Sequence, residues 1–446
     1  MGRPGPAWAA AVAILVSLGG PARLAAEESK AGLSLQDLGL SGKVIYKNFS
    51  HFYDVQRDGN FRDELILQPE WRHKLGSRGS VLLIADIRDD DWTIVHGLHE
   101  RFPDTREHRS AISVKELVLA ADLAPVRLTA GKQIFNWGTG DGYNPTDNIN
   151  PYDYLDPIDR EKIAVWSAAA TATFAEAQVQ FVIVPLFTPA RDPQASGRWV
   201  EEREGGDDTF GGNLPTGSLL RKRQVPGTDF DAIQYAARVK TTQRGWDVSL
   251  SYYDGFEPTP VLRHAGRSQF DIVFEPVYTR VKVPGADFST TWRKFEFHGE
   301  AVARFEERRG KSDRFHGLGG FNYTWDELGV KWLDHLQLIL EYSRETNLTS
   351  RSRSQFRESS GFTTAFRDAL LGRFQIKFNE ETQFAVSGNM DFVRDPNYYV
   401  QFKLTHKFTD AVKLEAGLDF FDGLRGTFWG VWRNNDRFFA SLRYLF

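Results

Sequence analysis

The chain has 446 residues, with 55 Lys plus Arg set against 59 Asp plus Glu, a formal net charge of −4. That balance argues against a nucleic-acid partner, which calls for a basic excess. The absence of cysteine excludes disulfides, thiolate chemistry, a lipid-modified cysteine anchor and cysteine-ligated zinc. A mean hydropathy of −0.42 excludes a helical membrane bundle but suits a barrel, where lipid-facing and lumen-facing residues alternate.

Residues 1–26 read as a secretory signal. Arg3 gives a weak positive start, and Ala7 to Leu18 is apolar but too short to span a bilayer. Gly19, Gly20 and Pro21 break it, and Ala25 and Ala26 precede polar Glu27-Glu28-Ser29-Lys30, with Leu24 an imperfect residue for the cleavage site. Residues 27–41 are expected to form a short periplasmic segment and 42–446 a single barrel. No later stretch reaches the roughly 20 apolar residues of a transmembrane helix, so any membrane crossing falls to strands.

From Gly42 onward the hydrophobic period is two. Trp246, Val248, Leu250 and Tyr252 alternate with Asp247, Ser249 and Ser251. Leu336, Leu338, Leu340 and Tyr342 alternate with Gln337, Glu341 and Ser343. The same pattern recurs at Phe384 to Phe392, Tyr398 to Leu404 and Val412 to Phe420. Each run is about ten residues, the length a tilted strand needs to cross a bilayer. Connections alternate between short (Leu75 to Arg78, Asp122 to Pro125, Phe174 to Ala177, Thr242 to Gly245) and long (Trp92 to Arg109, Trp137 to Arg160, Phe187 to Asp229, Asn347 to Gln355). Toward the C-terminus both kinds shorten, as at Arg394 to Pro396, and Asn434-Asn435-Asp436 reads as an outer hairpin. Short periplasmic turns and long outer loops mark outer-membrane barrels. The fold class predicted is an all-β transmembrane antiparallel barrel of about 16–20 strands, in the outer membrane of a Gram-negative bacterium. The count is open around Asp287 and Arg367.

A soluble sandwich or propeller also alternates, but no blade-length repeat is present. Aromatic residues fall at strand ends: Tyr252-Tyr253, Tyr398-Tyr399, Phe420-Phe421, Phe428-Trp429 and Trp432. That is the expected place of interfacial girdles.

The densest segment is Gly131 to Arg160. Its Asn144-Pro145, Asn150-Pro151 and Asp156-Pro157 steps fix turns and forbid a regular ladder. It is expected to fold into or over the channel mouth, where Trp137, Asn144, Asn150 and the carboxylates Asp141, Asp147, Asp153, Asp156 and Asp159 would form a constriction and set its field. The competing reading is a packed surface loop with no selectivity role. No metal or cofactor is expected. The EF-hand spacing is absent, and His96, His99, Glu100 and His108 miss the HExxH spacing. Gly138, Gly140 and Gly142 do not sit in a βαβ unit, so they are no nucleotide cradle. Phe187 to Asp229, rich in charge and Gly/Pro, reads first as a solvated mobile loop and second as a ligand-binding or pore-capping one.

Lumen-facing charges are expected to be of mixed sign. Lys403, Lys413, Arg437 and Arg443 stand with Glu341, Asp391, Glu415 and Asp419. Cross-strand ion pairs then stabilise the wall with no strong ion bias. In the last strand Phe438, Ala440, Leu442, Tyr444 and Phe446 share one face, with Arg437, Phe439, Ser441 and Arg443 on the other. In water such an ending would be a sticky edge. In a closed barrel it pairs on both sides. Tyr444 and Phe446 resemble the C-terminal signal by which outer-membrane barrels engage the barrel-assembly machinery.

The Gly131-Lys132-Gln133 start, Trp137-Gly138, Asn144-Pro145-Thr146-Asp147, Asn150-Pro151, Phe421-Asp422-Gly423 (read as the penultimate hairpin) and terminal Phe446 together resemble a family of Gram-negative barrels distantly similar to alginate-export-type porins. The resemblance implies an outer-membrane channel or exporter with possible export-system partners. The alginate-type relationship further implies an arginine-lined path for an acidic polymer, but no dense arginine set is visible. The expected function is a channel or porin-like exporter passing small polar solutes or an exported product through a hydrated lumen, with no covalent chemistry. The alternatives are a barrel enzyme acting on lipid or polysaccharide, and a surface receptor or adhesin.

Overall fold

A computed structural model describes residues 38–446 except 55–58, 91–94, 96, 194–196, 200–217, 269–270, 308–311, 327, 350–355, 359–364, 394 and 425. The signal segment and His96 lie outside the described residues.

Eighteen strands form one sheet. They are β1 (Leu40–His51), β2 (Phe61–Leu75), β3 (Gly79–Asp90), β4 (Ile112–Leu123), β5 (Val126–Gln133), β6 (Val165–Phe174), β7 (Ala177–Val184), β8 (Gln234–Gln243) and β9 (Trp246–Phe256) in the first half. The second half holds β10 (Arg280–Trp292), β11 (Phe295–Glu306), β12 (Arg314–Trp325), β13 (His335–Asn347), β14 (Asp368–Lys377), β15 (Thr382–Asp391), β16 (Asn397–Lys407), β17 (Val412–Asp422) and β18 (Arg437–Leu445). Each pairs antiparallel with its chain neighbours. β18 closes on β1, from Lys43 opposite Leu445 to His51 opposite Arg437. Beyond this seam the backbones of Gly42 and Phe446 exchange two hydrogen bonds, at 2.9 and 3.0 Å. The closed ring leaves no edge strand. Two further strands, Val261–Ser268 and Asp271–Val277, pair with each other and with Ser218–Leu220 and Phe356–Glu358 in a separate sheet. Adding them to the ring's eighteen makes twenty, the top of the expected range. Asp287 lies inside β10, and Arg367 immediately precedes β14.

The outer face is apolar because the pleat sends alternate side chains outward. Trp246, Val248, Leu250 and Tyr252 stand exposed there, Leu250 by 63%. Their neighbours point inward, and Glu341 and Ser343 on β13 are fully buried. The paired aromatics depart from the girdle expectation for the same reason. Adjacent strand residues face opposite ways, so Tyr252 and Tyr398 are exposed while Tyr253, Tyr399 and Phe421 lie inside. Trp429 and Trp432 are also interior. They belong to residues 423–436, a single long connection between β17 and β18. Phe421-Asp422-Gly423 and Asn434-Asn435-Asp436 are the two ends of this one connection, which is the last in the chain.

Long connections share one end of the barrel, and the described residues Trp137, Ile149 and Asp156 of one and Trp429 and Trp432 of another are buried. Residues 134–164 join β5 to β6 and contribute to two apolar clusters. One cluster gathers Phe135, Trp137, Ile149, Tyr253 and Val281. The other gathers Tyr154, Trp199, Phe366, Phe421, Trp429 and Trp432. Trp199 lies in the segment expected to be solvated, yet it is 4% exposed and packs edge-on against Phe421 and Trp432. Burial of its indole outweighs the surrounding charge. Arg198 is buried as well, and its Nε donates to Asn435 Oδ1 at 2.8 Å.

Candidate functional site: a strap across the barrel interior

Residues 134–164 run as a strap between opposite walls. Strands β18 and β1 to β4 form one wall, and β11 and β13 form the other, β11 standing nine strands from β2 in the ring of eighteen.

On the first wall the strap is held by ion pairs. Asp156 accepts from Arg437 Nη1 at 2.6 Å and Arg62 Nη1 at 3.1 Å, with all three side chains buried. Asp153 accepts from Arg109 Nε at 2.9 Å and Arg191 Nη1 at 3.0 Å. Asp159 accepts from Lys47 Nζ at 2.5 Å. Glu161 accepts from Arg88 and Lys115, both at 2.8 Å. Glu64 on β2 ties the cations together, receiving Arg62, Arg88 and Arg109 at 3.0–3.3 Å. Burial pushes the Asp153 carboxyl up, but Arg109 and Arg191 outweigh it and hold it at about 2. Burial likewise acts on Asp156, and Arg437 with Arg62 overcome it, leaving the group well below the usual carboxylate range. At Asp159 burial prevails over Lys47 and the group is raised.

On the far wall the chemistry is reversed, with wall carboxylates gripping strap amides. Glu300 on β11 accepts from the N–H groups of Thr139, Gly140 and Thr146 at 2.6, 2.8 and 3.0 Å, and from Thr146 Oγ1 at 2.8 Å. Glu341 on β13 accepts from the N–H groups of Asp141 and Gly142 at 2.7 and 2.8 Å, and its Oε1 lies 2.8 Å from His298 Nε2. These are charge-assisted bonds in a buried setting, the strong class. The glycines make the approach possible. Gly138 has φ +97°, and a Cβ there would stand 2.5 Å from both Asn144 Oδ1 and Glu300 Oε1.

Between its anchors the strap is stitched internally. Asn150 Oδ1 accepts from Phe135 N–H at 2.7 Å, and its Nδ2 donates to the carbonyls of Gln133 and Ile163. Trp137 Nε1 donates to Gln180 Oε1 at 2.9 Å. Asp147 pairs with Lys162, and burial raises its carboxyl to about 6 against that pull. Asn144 supplies the carbonyl that accepts Asp147 N–H. A cavity of about 220 Å³ remains beside the strap, with Tyr143, Asp147, Tyr253, Arg304 and Phe366 in its lining.

The expectation that all five strap aspartates face the lumen field needs correction. Asp156 and Asp159 are held by wall cations, Asp153 by Arg109 and Arg191 of neighbouring connections and Asp147 by Lys162, and only Asp141 is exposed. The wall charges divide similarly. Arg437 and Asp419 sit directly opposite each other and pair at 2.7 Å. Lys413 and Glu415 pair along β17 at 2.6 Å. Asp391 accepts from Asn397 rather than from a cation, and Glu341 takes strap amides. Arg443 faces Lys413 across the ladder, a like-charge neighbour, and Lys403 faces Gly417. In the loop containing His99, Glu100 pairs with Lys132.

The sequence reading missed Arg62, Glu64, Arg88, Arg109, His298 and Glu300. A signal existed for some. Arg62, Glu64, Ile66 and Gln68 keep period two on β2, as do Asp86 and Arg88 on β3, which places charges on the interior face. Nothing in the chain order pairs Glu300 with Gly140.

No protein-family model matches the chain, and no curated protein matches it in sequence. Solved structures do match. The chain is similar to a BenF-like porin from Pseudomonas fluorescens, at 8% identity and TM-score 0.50, over 91% of this chain and 97% of that one. It is also similar to OccK11 (OpdR) of Pseudomonas aeruginosa, at 9% identity and TM-score 0.49, over 91% and 94%. Wzi, an Escherichia coli outer-membrane carbohydrate-binding barrel involved in capsule assembly, gives 11% identity and TM-score 0.49 over 92% and 85%. At such identities the likeness is one of fold. The chain is a closed antiparallel barrel of eighteen strands, the architecture of the outer-membrane porins.

Proposed function

We propose that this protein is an outer-membrane channel for small polar solutes, with the strap at 134–164 as its fixed constriction. The observation that carries the reading is the double anchorage. A segment bolted to opposite walls by buried ion pairs and by carboxylate–amide bonds narrows the interior as a rigid feature. Residues 1–26 serve as the export leader, and the β18 ending with Tyr444 and Phe446 engages the assembly machinery. The interior arginines Arg62, Arg88, Arg109 and Arg437 each lie against a carboxylate, so they offer an acidic polymer little. This favours uncharged or weakly charged solutes over the cargo of the alginate-type resemblance.

Single-channel conductance in planar bilayers tests the reading. Deleting Gly142 to Asp156 should raise conductance, with candidate solutes as blockers reporting what passes. Equal conductance for the two proteins would remove the strap from the permeation path.

A further inference from the structure

We propose that Asp141, His298 and Glu341 form a binding site for a divalent cation of the zinc class, which ties the strap to the barrel wall. Their ligand atoms all lie within 4.8 Å of one another. The three residues come from three elements: the strap, β11 and β13.

The wall is shaped for this meeting. His298 stands opposite Gly320 on β12, and Gly320 stands opposite Glu341. A Cβ on Gly320 would lie 2.7 Å from Glu341 Cγ and 2.9 Å from His298 Nε2. Glycine between them lets the imidazole and carboxylate touch over the intervening strand, at 2.8 Å. The next inward residue of β12, Asn322, donates from Nδ2 to Asp141 Oδ2 at 3.1 Å, and its Oδ1 is buried without a hydrogen-bond partner. Through Nδ2 this amide holds the Asp141 carboxylate, whose ligand atom lies within 4.8 Å of those of His298 and Glu341.

The donor set selects the ion. One imidazole nitrogen and two carboxylates suit zinc and its neighbours, whereas calcium takes six to eight oxygens. The cation replaces the proton held between His298 Nε2 and Glu341 Oε1, and that proton leaves to solvent. Tetrahedral ligands at about 2.0–2.1 Å from an ion stand roughly 3.3 Å apart, so the pair opens by about half an ångström. Glu341 has about four acceptor positions and keeps its bonds from the Asp141 and Gly142 amides.

The test is a Co²⁺ titration of tag-free, full-length barrel refolded in detergent, read by visible absorption of the bound ion. One Co²⁺ per chain is expected, displaced by Zn²⁺. H298A should weaken binding by at least about tenfold. D141N changes an exposed side chain and supplies the same test should H298A refold poorly. Loss of the absorption band in D141N, with refolding intact, supports the site. Absence of stoichiometric Co²⁺ binding, or equal affinity in the parent and D141N, overturns it.

Discussion

Asp156 and Arg437 lie 281 positions apart in the chain and meet inside the barrel at 2.6 Å, both almost wholly buried. Arg437 is also the residue that ends the seam opposite His51 and pairs with Asp419. One guanidinium therefore joins the strap, the last strand and the wall before it. Removing either partner leaves a buried charge short of its counter-ion. D156N and R437A should each destabilise the barrel by roughly 3–5 kcal/mol, measured by denaturant unfolding in detergent micelles. The double mutant should cost less than the sum of the two.

The far anchor should respond in a local way. E300Q keeps the shape of the side chain but replaces a charged acceptor of four bonds with a neutral amide that carries its own donors. A loss of roughly 1.5–3 kcal/mol is expected. Hydrogen exchange should show faster exchange at the Thr139, Gly140 and Thr146 amides, with little change in β1 to β4. Uniformly faster exchange around the whole ring would mean that Glu300 supports the barrel rather than the strap.

Gly138 tests the backbone rather than the charge. Its φ of +97° and the 2.5 Å clash awaiting a Cβ predict that G138A shifts the strap away from Glu300, at a cost of roughly 1–3 kcal/mol. Gly76, also at positive φ but with open space around it, is the control. G76A should carry only the conformational penalty and leave strap exchange unchanged.

The pH dependence has a definite sign. The Asp153 carboxyl titrates at about 2 in the folded protein, below its ordinary 3.8. The stability it contributes is present above the ordinary value and is lost as pH falls through the folded one, over roughly pH 4 to 2. The shift corresponds to about 2 kcal/mol. Acid titration should show the parent losing about 2 kcal/mol more than D153N across this window. Asp192, at the same end of the barrel, behaves oppositely, because burial raises its carboxyl to about 7. Its contribution is present below its ordinary value and is lost as pH rises through 7, so D192N should gain stability relative to the parent at alkaline pH.

The barrel was legible because period-two alternation follows directly from the pleat, and the lipid-facing runs on β9, β13, β15, β16 and β17 were all read in register. The strand number was less so. Val261–Ser268 and Asp271–Val277 are strands of a separate sheet, and alternation alone does not say which sheet a strand joins. The strap was visible as a proline- and aspartate-rich interruption between β5 and β6. Its partners were hidden because Asp153, Asp156 and Gly140 meet residues that only the closing of the ring brings near. The aromatic pairs misled for a physical reason. Tyr398 and Tyr399 are neighbours in the chain, yet the pleat puts one on each side of the wall.

The Gly42–Phe446 seam also sets an order of events. Its two halves are the first and last parts of the barrel to leave the ribosome, so no ring can close on an unfinished chain. Until closure, Arg437 and Arg62 are held on separate ends of an open ribbon, and Asp156, which pairs with both in the finished ring, cannot join them. A truncated product would therefore carry unquenched charge on its inner surface, a mark by which quality control could tell an incomplete barrel from a finished one.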